Sequence, residues 1–131
     1  MMNKKLVIAG GANYRSRYIK ELTKTNDSRI IFLGPIYAEG HIKELHCNCF
    51  AYIHGNEVGG TNPALLKAMG YGNMIFATNN IFNKEVLKDC GIFFDKDPKQ
   101  LSTKLSKILS NSSMRNQFQK KAVKRIENDY T

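Results

Sequence analysis

The sequence predicts a Rossmann-like α/β fold of three layers (α/β/α), with a mainly parallel sheet of about five strands and two amphipathic C-terminal helices. Three observations carry this expectation. Short apolar runs alternate with segments of helical period, the pattern of parallel strands buried on both faces by their crossover helices. Glycine or proline stands at the end of several runs, where the chain must turn. Beyond residue 99, apolar residues recur at spacings of three and four, which marks helices docked on a core.

The elements follow in order. Leu6–Ala9 reads as a strand, and Arg15–Thr25 as a helix with Tyr18, Ile19 and Leu22 on one face. Arg29–Leu33 is a second strand, ended by Gly34 and Pro35. Glu39–Cys49 is a short helix and Phe50–His54 a third strand. Asn62 is placed as an N-cap, with Pro63 in the first turn, where its missing N–H costs nothing. That helix runs to Gly70 and is stopped by Gly70 and Gly72. Met74–Thr78 is a fourth strand, Asn83–Cys90 a helix closed by Gly91, and Ile92–Phe94 a fifth strand. Asp97 and Pro98 open the first tail helix, with Gln100 spaced to complete a capping box. Ser112 or Ser113 caps the last helix. The tail stripe is Leu101, Leu105, Ile108 and Leu109, then Met114, Phe118, Ala122, Ile126 and Tyr130. Lys120, Lys121, Lys124 and Arg125 fall largely off it.

Length and composition fit one domain over residues 1–131. The chain is 42% hydrophobic, enough for a core. It holds no internal repeat or linker and no apolar run of 18 residues, so a spanning helix is excluded. The apolar run after Met1 is too short for a signal peptide, and three cysteines cannot pair fully; both point to the cytoplasm. His46, Cys47 and Cys49, with His41 near, lack the second ligand pair of a structural zinc site, so no metal is expected. No cofactor is expected either.

The net charge of +9 is uneven. From Lys99 onward eight basic and two acidic residues give +6, and the other 98 residues give +3. A solvated helix face accounts for this; attraction to anionic lipid is the functional alternative. No nucleic-acid motif is present, so nucleic acid is not an expected partner.

The chemistry concentrates between residues 50 and 70. An apolar strand runs into His54, then a glycine turn, then a fresh helix N-terminus, and that combination is a ready phosphate site. The spacing matches neither GxxxxGK[ST] nor GxGxxG. In open parallel sheets ligands lie outside the carboxyl ends of the strands. That rule gathers Gly10–Asn13, Gly34–Tyr37, His54–Asn62 and Thr78–Asn80 at one edge.

Three ordered motifs resemble one family. They are the turn His54 to Gly70 with its Gly59-Gly-Thr-Asn-Pro-Ala-Leu-Leu-Lys-Ala-Met string, the strand Met74–Ala77, and Asn83–Leu87 with Gly91–Phe94. Together they are similar to the C-terminal, nucleotide-sugar-binding half of retaining glycosyltransferases of the GT-B fold. His54, Gly55 and Val58 match the HGxxVGGTNP turn of the rhamnosyltransferase-like branch. The resemblance implies a hexosyltransferase-type enzyme that moves a sugar from a nucleotide-diphosphate sugar to a glycan or lipid-linked acceptor in surface polysaccharide synthesis. It places the protein in the cytoplasm, or peripherally on the inner face of the membrane.

Carried over by position, Gly59, Gly60, Thr61 and Asn62 would hold the diphosphate, with Gly10, Gly11 and Asn13 on the same crevice and Tyr37 against the base. Glu57 and His54 would stand at the reacting sugar. The alternatives are an exposed turn glutamate and a strand-end histidine bonded to backbone. Lys67 occupies the place of the family glutamate that usually hydrogen-bonds the ribose, and a cation cannot accept those protons. The family pattern also has an N-terminal acceptor-binding domain and an Arg/Lys clamp ahead of the first strand here. The expectation is therefore a truncated C-terminal half, inactive alone. Two rivals stand beside it: a non-catalytic nucleotide-sugar binding module, and a basic scaffold for membrane or nucleic acid.

Overall fold

The computed structural model describes residues 4–9, 27–34, 39–55 and 63–129. The expected helix over 15–25, the Asn62 cap and Tyr130 lie outside them. The chain divides into two compact units, Met1–Lys43 and Glu44–Thr131.

In the first unit β1 (Leu6–Ala9) pairs in parallel with β2 (Ile30–Gly34), in a register from Leu6↔Ile30 to Ala9↔Gly34 that slips between Ile8 and Ala9. Asp27 opens β2: its carboxylate accepts the Arg29 backbone N–H at 3.0 Å and the guanidinium at 2.8 and 3.1 Å. Those bonds from Arg29 hold the Asp27 carboxyl down to about 2. Helix α1 (Glu39–Asn48) follows in the chain, and the division after Lys43 falls within it.

In the second unit β3 (Tyr52–His54), β4 (Ile75–Thr78) and β5 (Ile92–Phe94) form a parallel sheet with β4 in the middle. Among the described residues the strands thus pair as a two-stranded and a three-stranded ladder, each parallel within itself. Successive side chains of a strand point to opposite faces, and β4 follows that rule. Ile75 and Ala77 pack with Leu65, Ala68 and Met69 of α2 (Pro63–Gly70) and with Val86 and Leu87 of α3 (Ile81–Leu87). Met74 and Phe76 face the other way, onto Leu101, Leu105 and Ile108 of α4 (Pro98–Leu109). Fully burying such side chains stabilises by about 1.5–3 kcal/mol each.

Helix α5 (Ser112–Asp129) serves both faces. Met114 and Phe118 join the Phe76 side, while Ala122 and Ile126 join the Ile75 side. Its 18 residues span about 27 Å, long enough to pass from one face to the other. The single stripe expected from the sequence is therefore shared between two cores.

Local signals set several ends. Helix α2 stops in a turn where Tyr71 N–H bonds Lys67 O at 2.9 Å and Gly72 adopts φ 76°. Asp97 caps α4 by accepting Lys99 N–H at 3.0 Å, with Pro98 next.

Four expectations are corrected. Gln100 does not close a capping box on Asp97; its Oε1 accepts Asp95 N–H at 2.5 Å, because Asp97 N–H already donates to Asp95 O. Asn111, not Ser112 or Ser113, caps α5, its Oδ1 accepting Met114 N–H at 3.0 Å. Helix α3 starts at Ile81, since Asn80 is extended and caps Asn83 N–H at 2.8 Å. It ends at Leu87 with Lys88 in a positive-φ conformation (φ 50°), so Gly91 is not its cap. Gly91 answers a different need: a Cβ there would stand 2.9 Å from Ile75 O, so only glycine lets β5 approach β4.

Arg125 is the fourth. Its side chain is only 12% exposed, and it donates to Val86 O and to Glu85 O (3.0 Å), ending α3, with Asp129 as its ion pair at 2.7 Å. Arg115 likewise donates to Phe50 O at 2.9 Å and lies over the Phe50 ring, and Lys104 donates to Phe93 O at 2.5 Å. Part of the basic tail thus holds carbonyls that sheet and helices leave over.

Candidate functional site

The carboxyl edge of the three-stranded sheet is the place the topology offers for a ligand. β3 ends there in His54, β4 in Thr78 and β5 in Phe94. Side chains lace these ends together. Thr78 Oγ1 donates to His54 O at 3.3 Å, and Asn83 Nδ2 donates to Thr78 O at 2.9 Å. Asn79 N–H reaches Phe94 O at 2.9 Å, and Asn79 Nδ2 reaches Asp95 Oδ1 at 2.9 Å. The bond from Asn79, with one from Gln100, holds the Asp95 carboxyl below its usual range.

His54 is the buried polar group of this edge, 2% exposed. Its Nδ1 stands 3.3 Å from the Tyr52 hydroxyl. Its Nε2 is buried and has no hydrogen-bond partner among the described residues. A buried polar atom left unpaired costs about 1–3 kcal/mol, and such atoms in native proteins call for an explanation. Burial lowers the His54 pKa, which keeps the ring neutral, and burial raises the Tyr52 phenol.

Of the other residues singled out by sequence, Lys67 lies on the exposed face of α2, opposite Leu65, Ala68 and Met69. Helix α2 begins at Pro63 as expected, and its first turn carries no acidic side chain that would occupy its positive end. Glu57, Gly10, Gly11, Asn13, Tyr37, Gly59, Gly60, Thr61 and Asn62 lie outside the described residues. Sequence reasoning assigned no role to Tyr52 or Asp95, and placed Asn79 only within the Thr78–Asn80 loop at this edge. Tyr52 was within reach of pattern reasoning, because residues two apart on a strand share a face. The Asn79–Asp95 pair joins two strand ends and leaves no spacing signal.

His46 and Cys49 have structural contacts, while Cys47 is exposed. His46 Nδ1 meets Asn73 Oδ1 at 2.6 Å while Asn73 Nδ2 donates to His46 O at 2.6 Å. The ring stacks on Tyr71 at 5.1 Å. Cys49 Sγ turns to His46 O, and burial raises its pKa. Among the described residues no cluster of three or more His, Cys, Asp or Glu side chains is arranged for a metal ion. Nor is any helix among them long and apolar enough to cross a membrane.

Comparison with known proteins gives the same picture of the fold. The chain superimposes on HepE of Anabaena, solved in complex with UDP, with a TM-score of 0.83 at 16% identity; 95% of this chain and 36% of HepE are covered. It superimposes equally well (TM-score 0.83, 21% identity) on the C-terminal domain of LpcC, a group 1 glycosyl transferase family protein from Francisella tularensis. There 97% of this chain and 70% of the LpcC domain are covered. At these identities the likeness shows a Rossmann-like GT-B C-terminal fold. The chain thus spans about a third of HepE. No curated protein matches it. The family described as "Glycosyl transferases group 1" matches residues 2–125, nearly the whole sequence, and the chain belongs to that family.

Proposed function

We propose that residues 1–131 form one domain, the donor-binding half of a glycosyltransferase that takes its sugar from a nucleotide-diphosphate sugar. The observation that carries this reading is the carboxyl edge of the β3-β4-β5 sheet. There β3 ends in buried His54, and α2 starts nine residues later with a first turn free of acidic residues. Between them the sequence holds the glycine turn, with Gly59, Gly60, Thr61 and Asn62 as diphosphate ligands. HepE, which shares the fold, binds UDP, and this supports a nucleoside diphosphate as the ligand class. The backbone N–H groups of the turn and of the helix end would stabilise the charge that grows on the departing diphosphate. By the family resemblance, Glu57 and His54 would serve the sugar, Gly10, Gly11 and Asn13 the diphosphate, and Tyr37 the base. The enzyme is of hexosyltransferase type, rhamnosyltransferase-like in its turn. Its acceptor is a glycan or lipid-linked glycan of surface polysaccharide synthesis, handled on the cytoplasmic face of the membrane. A separate acceptor-binding domain completes the site, so this chain by itself does not transfer sugar.

Titration with UDP, GDP and dTDP and their sugar conjugates, followed by backbone amide NMR, tests this. Shifts at Gly10–Asn13 and from His54 to Ala64 are expected. Shifts confined to the α4 and α5 lysines would overturn it in favour of a basic surface. Lys67 favours a second reading, a nucleotide-sugar binding module without catalysis, because a lysine there cannot accept the ribose hydroxyl protons. Lys67→Glu tightening nucleotide binding several-fold would support that reading. The scaffold reading is weaker, since Lys104, Arg115 and Arg125 are committed to backbone carbonyls.

A further inference from the structure

Tyr52 and His54 lie two apart on β3, so their side chains share one face. The contact between the Tyr52 oxygen and His54 Nδ1, 3.3 Å, needs one proton, and either group can supply it. The phenol is the stronger O–H donor, and an imidazole nitrogen accepts far better than a phenol oxygen. The better pairing therefore has Tyr52 donating to a bare Nδ1. The ring is neutral, so its one N–H proton then sits on Nε2, the buried atom that has no partner among the described residues. The two burial effects agree with this: the phenol keeps its proton, and the imidazole does not take a second one.

We propose that Tyr52 is a positioning residue that holds His54 as the Nε2–H tautomer, and that this N–H donates to an oxygen of the bound nucleotide-sugar, either a phosphoryl oxygen or a sugar hydroxyl. The ligand part rests on the donor-site reading; the tautomer part does not. The consequence is chemical. With its proton on Nε2 and its Nδ1 occupied, His54 has no bare nitrogen facing a ligand. It acts as a hydrogen-bond donor and not as a general base. Removing the Tyr52 hydroxyl frees the ring to place its proton on either nitrogen, and the donor is then present only part of the time.

The test uses protein labelled with ¹⁵N-histidine and long-range ¹H–¹⁵N correlation above the histidine titration range. The expected result is Nδ1 in the bare-nitrogen range and Nε2 in the protonated range. In Tyr52→Phe, which keeps the ring, both resonances move toward each other. A wild-type spectrum with bare Nε2 overturns the proposal, and this holds whether or not the variant folds. A folded Tyr52→Phe with unchanged His54 nitrogens overturns the positioning role.

The ligand part is read by adding UDP, GDP and dTDP, each free and as its glucose conjugate. Movement of Nε2 with a free diphosphate identifies a phosphoryl oxygen; movement only with a conjugate identifies a sugar hydroxyl. Backbone shifts at Gly59–Ala64 with a still Nε2 overturn the ligand part alone. Silence at both sites with every ligand overturns the donor-site reading and the ligand part together, while the tautomer result stands by itself.

Discussion

Asn73 and His54 stand at opposite ends of the same sheet and are almost equally buried, 3% and 2% exposed, yet the protein treats them differently. Asn73, just ahead of β4, uses its amide fully: Oδ1 meets His46 Nδ1 and Nδ2 donates to His46 O. Other groups near that edge are closed as well, with Arg115 on the Cys49 and Phe50 carbonyls and Arg125 on the last carbonyls of α3. His54, at the carboxyl edge, keeps a buried ring nitrogen without a partner among the described residues. Beside that edge Ile81 is 73% exposed, a large apolar side chain left to solvent. Among the described residues one edge pairs its buried polar side chains, and the other keeps a buried ring nitrogen unpaired. That division is what open parallel sheets require, because ligands enter at the carboxyl ends and packing must be completed elsewhere.

The comparison breaks if mutations at the amino edge do not cost stability. The largest effect is expected at Met74, fully buried against Phe76 and Ile108 where β4 begins. Met74→Ala removes most of a buried side chain and should destabilise by about 2–5 kcal/mol in urea unfolding. Next comes Arg125→Met, which keeps the aliphatic stem but drops the charged donors to Glu85 and Val86 carbonyls and the Asp129 pair. Hydrogen bonds to charged groups are worth about 1.5–3 kcal/mol, and a loss in that range is expected, with nucleotide binding unchanged. A neutral outcome for both would mean the amino edge is not where stability is concentrated.

These two sites also show what the sequence could and could not reveal. Met74 was legible, since the apolar run Met74–Ala77, after the Gly70–Gly72 turn and before Asn79-Asn80, reads as a buried strand. The succession of strands along the chain, the start of α2 at Pro63 and the Asp97 cap were legible for the same reason: each signal sits within a few residues of its effect. Arg125 was not. It reads as a solvated helix cation, and its partners Glu85 and Val86 are about 40 residues away. Gln100 and Asn111 were misplaced because several polar side chains stand close enough to cap, and only the backbone path selects one. The site was half legible. The His54 to Asn62 motif marks where a phosphate belongs, but the unpaired Nε2 is a geometric fact that no spacing encodes.

A smaller effect sharpens the contrast through pH. Burial lowers the His54 pKa from its ordinary 6.5, so below that pH the unfolded chain takes up a proton that the folded ring refuses. The unfolded state then binds more protons, and stability falls as pH drops below 6.5, levelling off once the folded ring titrates. The slope is at most about 1.4 kcal/mol per pH unit, the value for one whole proton. Urea unfolding at pH 7.5 and 5.5 should show this loss in wild type and a shallower one in His54→Gln. Equal slopes would mean that the His54 environment does not resist charge. The carboxylates Asp27 and Asp95, whose pKa values are lowered, titrate below 3.8 and leave this window clear.

The smallest expected change in stability is at Asn79, and it separates the two edges most directly. Asn79 is exposed, and its side chain makes a hydrogen bond to the equally exposed Asp95. Solvent replaces such a bond at little cost, so Asn79→Ala should stay within about 0.5 kcal/mol of wild type, the range of ordinary surface substitutions. Asn73→Ala, by contrast, removes the amide from both His46 Nδ1 and His46 O, leaving that half-buried carbonyl only the Cys49 thiol, and a loss of about 1–3 kcal/mol is expected. The two asparagines are identical in chemistry and bracket one strand, so the pair controls for residue type. In nucleotide titrations the ranking should reverse. Asn79→Ala also frees Asp95 from the amide that holds its carboxylate, at the rim where the diphosphate is proposed to bind, and affinity should fall several-fold. Asn73→Ala, compared at a temperature where both variants are fully folded, should leave affinity unchanged. If Asn79→Ala unfolds as readily as Asn73→Ala, the carboxyl edge is structural like the other, and the open nitrogen of His54 is an isolated defect in an otherwise closed domain.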